Sequence, residues 1–283
     1  GSNDGGVYAL DMEGKALWRY PTGLFVSSSP AVKNGVVYVG SWDLHFYAID
    51  SKTGQLHWKL NIGAVTGSSP LVLDDTIYVG AGHDVYALRD SEIYWSFPTN
   101  GTITSSPAYF DSTVYIGSWD MSLYAIDAQS GGLKWTYPTG GMIYSSPAVE
   151  GGTVYVGSTD GWVYALRDGA LEWRYQTNGP VYSSPAVQDG TVYVGSADGN
   201  VYAIKDGKPI WSFKTADKIY SSPLIIENAV IIGSNDGKVY ALDKASGTKI
   251  WSFETGDEVG SSPSVSGGRL YIGSRDNRLY AFG

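Results

Sequence analysis

The chain has 283 residues, among them 37 glycines, 10 tryptophans and 22 tyrosines, with no cysteine and a formal net charge of -9. That length can bury a large core. A 43% hydrophobic and 14% aromatic content excludes a disordered chain, and the acidic balance argues against nucleic acid or anionic lipid held by a general positive field.

Without cysteine there is no disulfide, no thiolate nucleophile and no Cys-based zinc site. No apolar run approaches the roughly 18–20 residues of a membrane-spanning helix, so a soluble body is expected. No signal peptide opens the sequence, which implies a cytosolic protein or one beginning after a cleaved leader.

In chain order, residues 1–23 hold a segment Val7–Leu10 and a strand around Trp18. One pattern then repeats, with units starting near residues 24, 64, 101, 141, 179, 217 and 257. Ser-Ser-Pro recurs with its proline at Pro30, Pro70, Pro107, Pro147, Pro185, Pro223 and Pro263, in steps of 40, 37, 40, 38, 38 and 40. Tryptophan keeps the same step at Trp18, Trp58, Trp95, Trp135, Trp173, Trp211 and Trp251. Two residue types locked to one period of about 39 mark a repeat architecture.

Within the fourth unit, Ser145–Val149, Thr153–Ser158, Val163–Leu166 and Leu171–Tyr175 read as strands, each bounded by turn-forming residues. Asp160-Gly161, Asp198-Gly199 and Asp236-Gly237 between the second and third strands suit two-residue type I′ turns. No sustained 3.6-residue apolar period occurs, so helix content is expected near zero. Runs such as Val36-Val37-Tyr38-Val39 suit strands covered on both faces. A third-strand alanine (Ala9, Ala48, Ala87, Ala125, Ala165, Ala203, Ala241, Ala281) lets neighbours approach while the fourth-strand tryptophan fills the space between them.

The fold predicted is all-β: a seven-bladed β-propeller of four-stranded antiparallel blades in one domain, 1–283. Seven first, second and fourth strands stand beside eight third strands, since Val7–Leu10 and Leu279–Phe282 both qualify. The ring is therefore expected to close in one blade built from N- and C-terminal strands, with residues 1–23 completing it. The sequence leaves open which third-strand copy is displaced; a truncated eight-blade ring is the alternative, at the expense of unpaired edges.

The segment Ala48 to Trp58, with Asp50, Thr53 and Gly54, resembles the tryptophan-docking repeat of the pyrroloquinoline-quinone (PQQ)-like propeller family, and Ala125–Trp135 and Ala241–Trp251 match with Ser for Thr. That family includes quinoprotein dehydrogenases, BamB-like scaffolds of outer-membrane protein assembly, and sensor or surface domains. The resemblance implies the fold across the whole chain. The dehydrogenases add a calcium site of Glu, Asn and Asp, a catalytic Asp and commonly a vicinal disulfide. None of these carries over to a residue here.

Candidate sites lie on the loops entering the first strands and on the second-to-third-strand hairpins. Tyr144, Tyr182 and Tyr220 precede the Ser-Ser pair in consecutive units, where Ser27, Gly67, Thr104 and Gly260 stand elsewhere. Trp42 and Trp119 occupy hairpins with Leu44 and Met121, and Trp162 sits on a hairpin between these and the tyrosine arc. Exposed aromatics grouped on one face form an interaction surface; rings packed between loops are the alternative.

The Ser-Ser pairs and the hairpin Asp4, Asp43, Asp120, Asp160, Asp198, Asp236 and Asp276 recur in nearly every unit and read as structural. His45 and His83 beside Asp43 and Asp84 are the weak candidates for metal or acid–base work. Asp217, Asp257 and Glu258 read as solvated loop residues.

The function predicted is a non-enzymatic scaffold, monomeric and periplasmic, cell-surface or extracellular. It binds a protein or peptide at the channel mouth through Trp42, Trp119, Trp162, Tyr144, Tyr182 and Tyr220, with no cofactor, no metal, no nucleic acid and no transmembrane segment. The alternatives are a PQQ- and calcium-dependent dehydrogenase-like quinoprotein and a ligand-sensing or lectin-like surface domain.

Overall fold

The computed structural model describes residues 1–283 and contains strands and turns only, so no helix is long and apolar enough to cross a membrane. It divides into two compact units, Gly1–Thr136 and Tyr137–Gly283. The N-terminal unit begins with β1 (Gly6–Leu10) and β2 (Ala16–Pro21). Next come β3 (Ala31–Lys33), β4 (Val36–Gly40), β5 (His45–Asp50) and β6 (Leu56–Asn61). They are followed by β7 (Leu71–Leu73), β8 (Thr76–Ala81), β9 (Asp84–Arg89) and β10 (Glu92–Pro98). The unit ends within the set β11 (Ala108–Phe110), β12 (Thr113–Gly117), β13 (Ser122–Asp127) and β14 (Leu133–Pro138).

The C-terminal unit continues with β15 (Ala148–Glu150), β16 (Thr153–Gly157), β17 (Trp162–Arg167) and β18 (Ala170–Gln176). Then come β19 (Ala186–Gln188), β20 (Thr191–Gly195), β21 (Asn200–Lys205) and β22 (Lys208–Lys214). Two further sets are β23 (Leu224–Ile226), β24 (Ala229–Gly233), β25 (Lys238–Asp243) and β26 (Lys249–Glu254), and β27 (Ser264–Ser266), β28 (Arg269–Ser274) and β29 (Arg278–Phe282).

Seven first, second and fourth strands and eight third strands are present, the inventory of a seven-bladed β-propeller of four-stranded antiparallel blades. Strands pair strictly in chain order, each with its neighbour. At the chain ends, where the two third-strand copies lie, β1–β2 form a two-stranded ladder and β27–β29 a three-stranded one. Each copy keeps the hairpin partner next to it in the chain, β1 with β2 and β29 with β28.

Two local expectations are corrected. The first strand of the fourth unit is the short β15, not Ser145–Val149. Pro147 has no N–H to give a ladder, and the Ser145 hydroxyl accepts the Gly157 N–H instead, at 3.0 Å. The hairpin turn is not type I′, because only Gly161 (φ 85°), Gly199 (82°) and Gly237 (82°) are left-handed there and the preceding aspartates are not. Gly161 N–H closes onto Ser158 O at 3.1 Å, which fits a type I turn followed by one left-handed residue.

The core lies between successive blades. Second and third strands are buried on both faces while fourth strands alternate. Third-strand alanines face the tryptophan of the fourth strand across the ladder (Ala48↔Trp58, Ala165↔Trp173, Ala203↔Trp211), and a one-residue register shift follows. Trp18 Nε1 then donates to Ser51 O at 2.9 Å, Trp95 Nε1 to Ala128 O at 3.1 Å and Trp211 Nε1 to Lys244 O at 3.0 Å, each in the next blade.

The repeat's glycines are explained by these approaches. A Cβ on Gly54 would stand 2.7 Å from the Trp18 ring, and one on Gly247 2.5 Å from Trp211. A Cβ on Gly157 would meet Val181 at 2.3 Å, and one on Gly195 would meet Ile219 at 2.2 Å. The glycine therefore makes room for a β-branched residue from the following blade.

Candidate functional site

The hairpins that carry the candidate residues are held by a repeated carboxylate clamp. Asp160 Oδ2 accepts the Tyr164 hydroxyl at 2.6 Å and the Gly140 N–H of the preceding turn at 2.7 Å, while Oδ1 accepts Trp162 N–H at 2.9 Å. Asp43 does the same with Tyr47, Gly23 and His45, and Asp198 with Tyr202, Asn178 and Asn200. These aspartates form turns, as their recurrence suggests, and also bind one blade to the next.

Burial, then the hydrogen bond to Asp120 and that residue's charge, push the Tyr124 hydroxyl up to about 12. The same causes raise Tyr47, Tyr164, Tyr202 and Tyr240. Burial acts to raise the Asp43 pKa, but bonds from Tyr47, Gly23, His45 and Ser41 outweigh it and hold that carboxyl below its ordinary value.

The serines divide their work. The first of the pair accepts within its own blade, as Ser183 Oγ does from Gly195 N–H at 3.1 Å, except that Ser28 Oγ donates to Gly40 O at 3.0 Å. The second accepts from the preceding blade, Ser146 N–H donating to Ser184 Oγ at 2.8 Å and Ser184 N–H to Ser222 Oγ at 3.0 Å. Both hydroxyls serve backbone groups.

On this frame the N-terminal unit carries two unusual hairpins. Trp42 Nε1 donates to Ser27 Oγ at 2.9 Å and its ring lies 5.8 Å from that of Phe25. Trp119 Nε1 donates to Thr104 Oγ1 at 3.0 Å. Leu44 (φ 71°) and Met121 (φ 72°) occupy the left-handed position that glycine holds at 161, 199 and 237. Phe25, Trp42, Leu44 and Met121 are 47%, 42%, 38% and 44% exposed. Sequence reading identified the tryptophans together with Leu44 and Met121 on their hairpins, but not the left-handed backbone of those two residues nor the part of Phe25, which only backbone angles and exposures reveal.

The C-terminal unit carries the tyrosine row. The Tyr144 and Tyr182 rings are 5.3 Å apart at 63°, and those of Tyr182 and Tyr220 are 5.2 Å apart at 64°, both edge-to-face. All three are half-buried. Trp162 stands apart from this row: it is the first residue of β17 and its ring lies under Arg174, 4.2 Å from the guanidinium carbon. The next position after Tyr220 in the row is Gly260, where a Cβ would meet nothing closer than Asn235 Oδ1 at 4.0 Å.

The weaker candidates are tied into loops. His45 Nδ1 lies 2.8 Å from Asp43 O, and His57 pairs with Asp50 at 3.5 Å. Asp217 and Asp257 accept the N–H groups of Lys218 and Glu258, and Glu258 pairs with Arg275 at 2.6 Å. No three His, Asp or Glu side chains converge as a metal-holding group.

Residues 74–266 match the family described as the β-propeller of the β-alanine-activating enzyme. The chain belongs to that propeller family. Its N-terminal repeats, residues 3–92, also match the family of the outer membrane protein assembly factor BamB, which makes it a PQQ-like β-propeller. No curated protein matches this propeller in sequence.

Among solved structures, BamB from Moraxella catarrhalis superposes with a TM-score of 0.85 at 21% identity, covering 99% of this chain and 92% of that one. The computationally designed Ika8 protein gives 0.89 at 18%, covering 100% and 91%. A europium-containing methanol dehydrogenase gives 0.77 at 16%, covering 98% and 78%. At these identities the likeness is one of fold.

Proposed function

We propose that this PQQ-like propeller is a non-enzymatic scaffold that binds a protein or peptide through its hairpin tips, at an extracytoplasmic location. The observation that carries the reading is the pair Leu44 and Met121. Each is an exposed aliphatic residue in a left-handed backbone conformation beside a tryptophan, at a turn where sister blades use glycine. Such a conformation costs about 1–2 kcal/mol for a non-glycine residue, and side chains that remain exposed return little of it by packing. A partner that covers Trp42, Leu44 and Phe25, or Trp119 and Met121, would return it, since buried aromatic anchors dominate binding energy. The likeness in fold to a BamB, a protein named as an assembly factor, agrees with this reading and with a place in the cell envelope.

A monomeric scaffold needs no metal or quinone. The test is selection of a binding peptide from a displayed random library on the wild-type protein, followed by affinity measurement on variants. Trp42→Ala with Leu44→Gly is expected to weaken the selected peptide at least tenfold without lowering Tm. Unchanged affinity for that double variant and for Trp119→Ala with Met121→Gly would overturn the reading. Saturable, calcium-dependent quenching of tryptophan fluorescence by PQQ would favour the quinoprotein instead.

A further inference from the structure

The tyrosine row stops where its geometry would continue. Tyr144, Tyr182 and Tyr220 hold edge-to-face contacts at 5.3 and 5.2 Å, so one side of each ring is covered by the next along the row. The equivalent residue after Tyr220 is Gly260, which has no ring to offer, and its φ lies outside the left-handed region. Backbone conformation therefore does not require glycine there, and a Cβ at that point has room.

The same spot holds a second irregularity. Asn235 Oδ1 is buried and makes no hydrogen bond. In the two preceding blades the residue at its hairpin position is Thr159 or Ala197, neither an amide, and all three donate a backbone N–H to the loop before the serines. An unsatisfied buried acceptor is uncommon because it has lost water without gaining a partner. This one lies 4.0 Å from where a side chain at Gly260 would begin.

We propose that the gap at Gly260, between Tyr220 and Asn235, is a seat for a tyrosine side chain of a peptide partner. The incoming ring continues the edge-to-face row on Tyr220, repeating the contact that Tyr220 makes with Tyr182. Its hydroxyl supplies the donor that Asn235 Oδ1 lacks. The inference rests on the peptide-binding reading above and gives that reading a specificity: an aromatic ring with a hydrogen-bond donor, in preference to a plain apolar side chain. A site built around a polar group discriminates strongly against analogues lacking its partner, because the group is then left buried and unpaired.

The probes are N-acetyl-tyrosinamide, N-acetyl-phenylalaninamide and N-acetyl-leucinamide, titrated into isotope-labelled protein and followed by NMR. Saturable shifts of the Gly260 amide and the Asn235 side-chain amide are expected with the tyrosine compound. Its affinity should exceed that of the leucine compound at least fivefold. G260Y, which places at this position the residue carried by three sister blades, is expected to fold and to abolish binding. N235A should remove the preference for tyrosine over phenylalanine.

Tyrosinamide binding unchanged in G260Y, or no saturable shift at either position, would overturn the proposal. The two readings fail separately. If the selected library peptide binds G260Y as well as wild type yet is lost on the Trp42/Leu44 double variant, only the seat is refuted. If tyrosinamide binds at Gly260 while peptide affinity ignores both tryptophan hairpins, the hairpin reading is refuted and the seat remains.

Discussion

The hairpin tips of the N-terminal unit and those of the C-terminal unit share one frame and fill it oppositely. Around Trp42 and Trp119 the hairpin residue is large and the residue before the serines is small, Ser27 or Thr104. Around Tyr144, Tyr182 and Tyr220 the hairpin residue is Thr159, Ala197 or Asn235, and the ring comes from the loop. At these same hairpins the left-handed turn position differs too, Leu44 and Met121 against Gly161, Gly199 and Gly237, while the terminal hairpins carry Gly5 and Asn277 there. The Asp–Tyr clamp and the serine bonds are the same in both units, so the fold does not demand either filling. What varies on an invariant frame is free to serve recognition.

The broadest test of that contrast concerns the frame common to both units. Tyr124 is pushed up to about 12, and Tyr47, Tyr164, Tyr202 and Tyr240 are raised by the same burial and the same aspartate bonds. A tyrosine whose folded pKa is raised gives stability that is complete below its unfolded value, and this is lost as pH rises through the folded pKa. Denaturant midpoints should therefore fall steeply between about pH 10 and pH 12, with both units lost together. Loss of one unit alone, seen by limited proteolysis across that range, would break the claim of a shared frame.

A smaller effect sets one blade of the N-terminal unit apart from all the others at a core position. Thr66 Oγ1 is buried without a hydrogen bond, where the other blades place Val26, Ile103, Ile143, Val181, Ile219 and Val259. Thr66→Val should stabilise the protein by about 1 kcal/mol, and Val181→Thr should cost about 1–3 kcal/mol, as thermal unfolding would report.

The smallest effect bears on the turns themselves. Exchanging Leu44 for glycine should gain about 1 kcal/mol, and Gly161→Leu should lose about as much. Equal and opposite changes in Tm would establish backbone strain as the difference between the units. A destabilised Leu44→Gly would show instead that Leu44 packs usefully.

The fold was legible because two periodic signals agreed. Ser-Ser-Pro and Trp each recur at one step, and the Ala-to-Trp spacing sets a cross-strand pair that the ladders reproduce at Ala48↔Trp58 and Ala241↔Trp251. The site was only half legible. Composition picks out Trp42, Trp119 and the three tyrosines, whereas Trp162 looks equivalent in sequence and yet stacks with Arg174. The difference is register: Trp162 follows the left-handed Gly161 and opens β17, while Trp42 and Trp119 precede the left-handed residue and reach back to Ser27 and Thr104.

Sequence by itself determined the strands, their order, the propeller class and the structural role of the repeated Asp, Ser, Gly and Trp. These follow from local chemistry repeated until no other fold fits it. Tertiary structure alone decided that the chain ends form a two-stranded and a three-stranded ladder, that Leu44 and Met121 are strained, and that Asn235 is left without a partner beside Gly260. Those outcomes depend on which atoms of neighbouring blades meet, and such distances are set by packing rather than by any spacing along the chain.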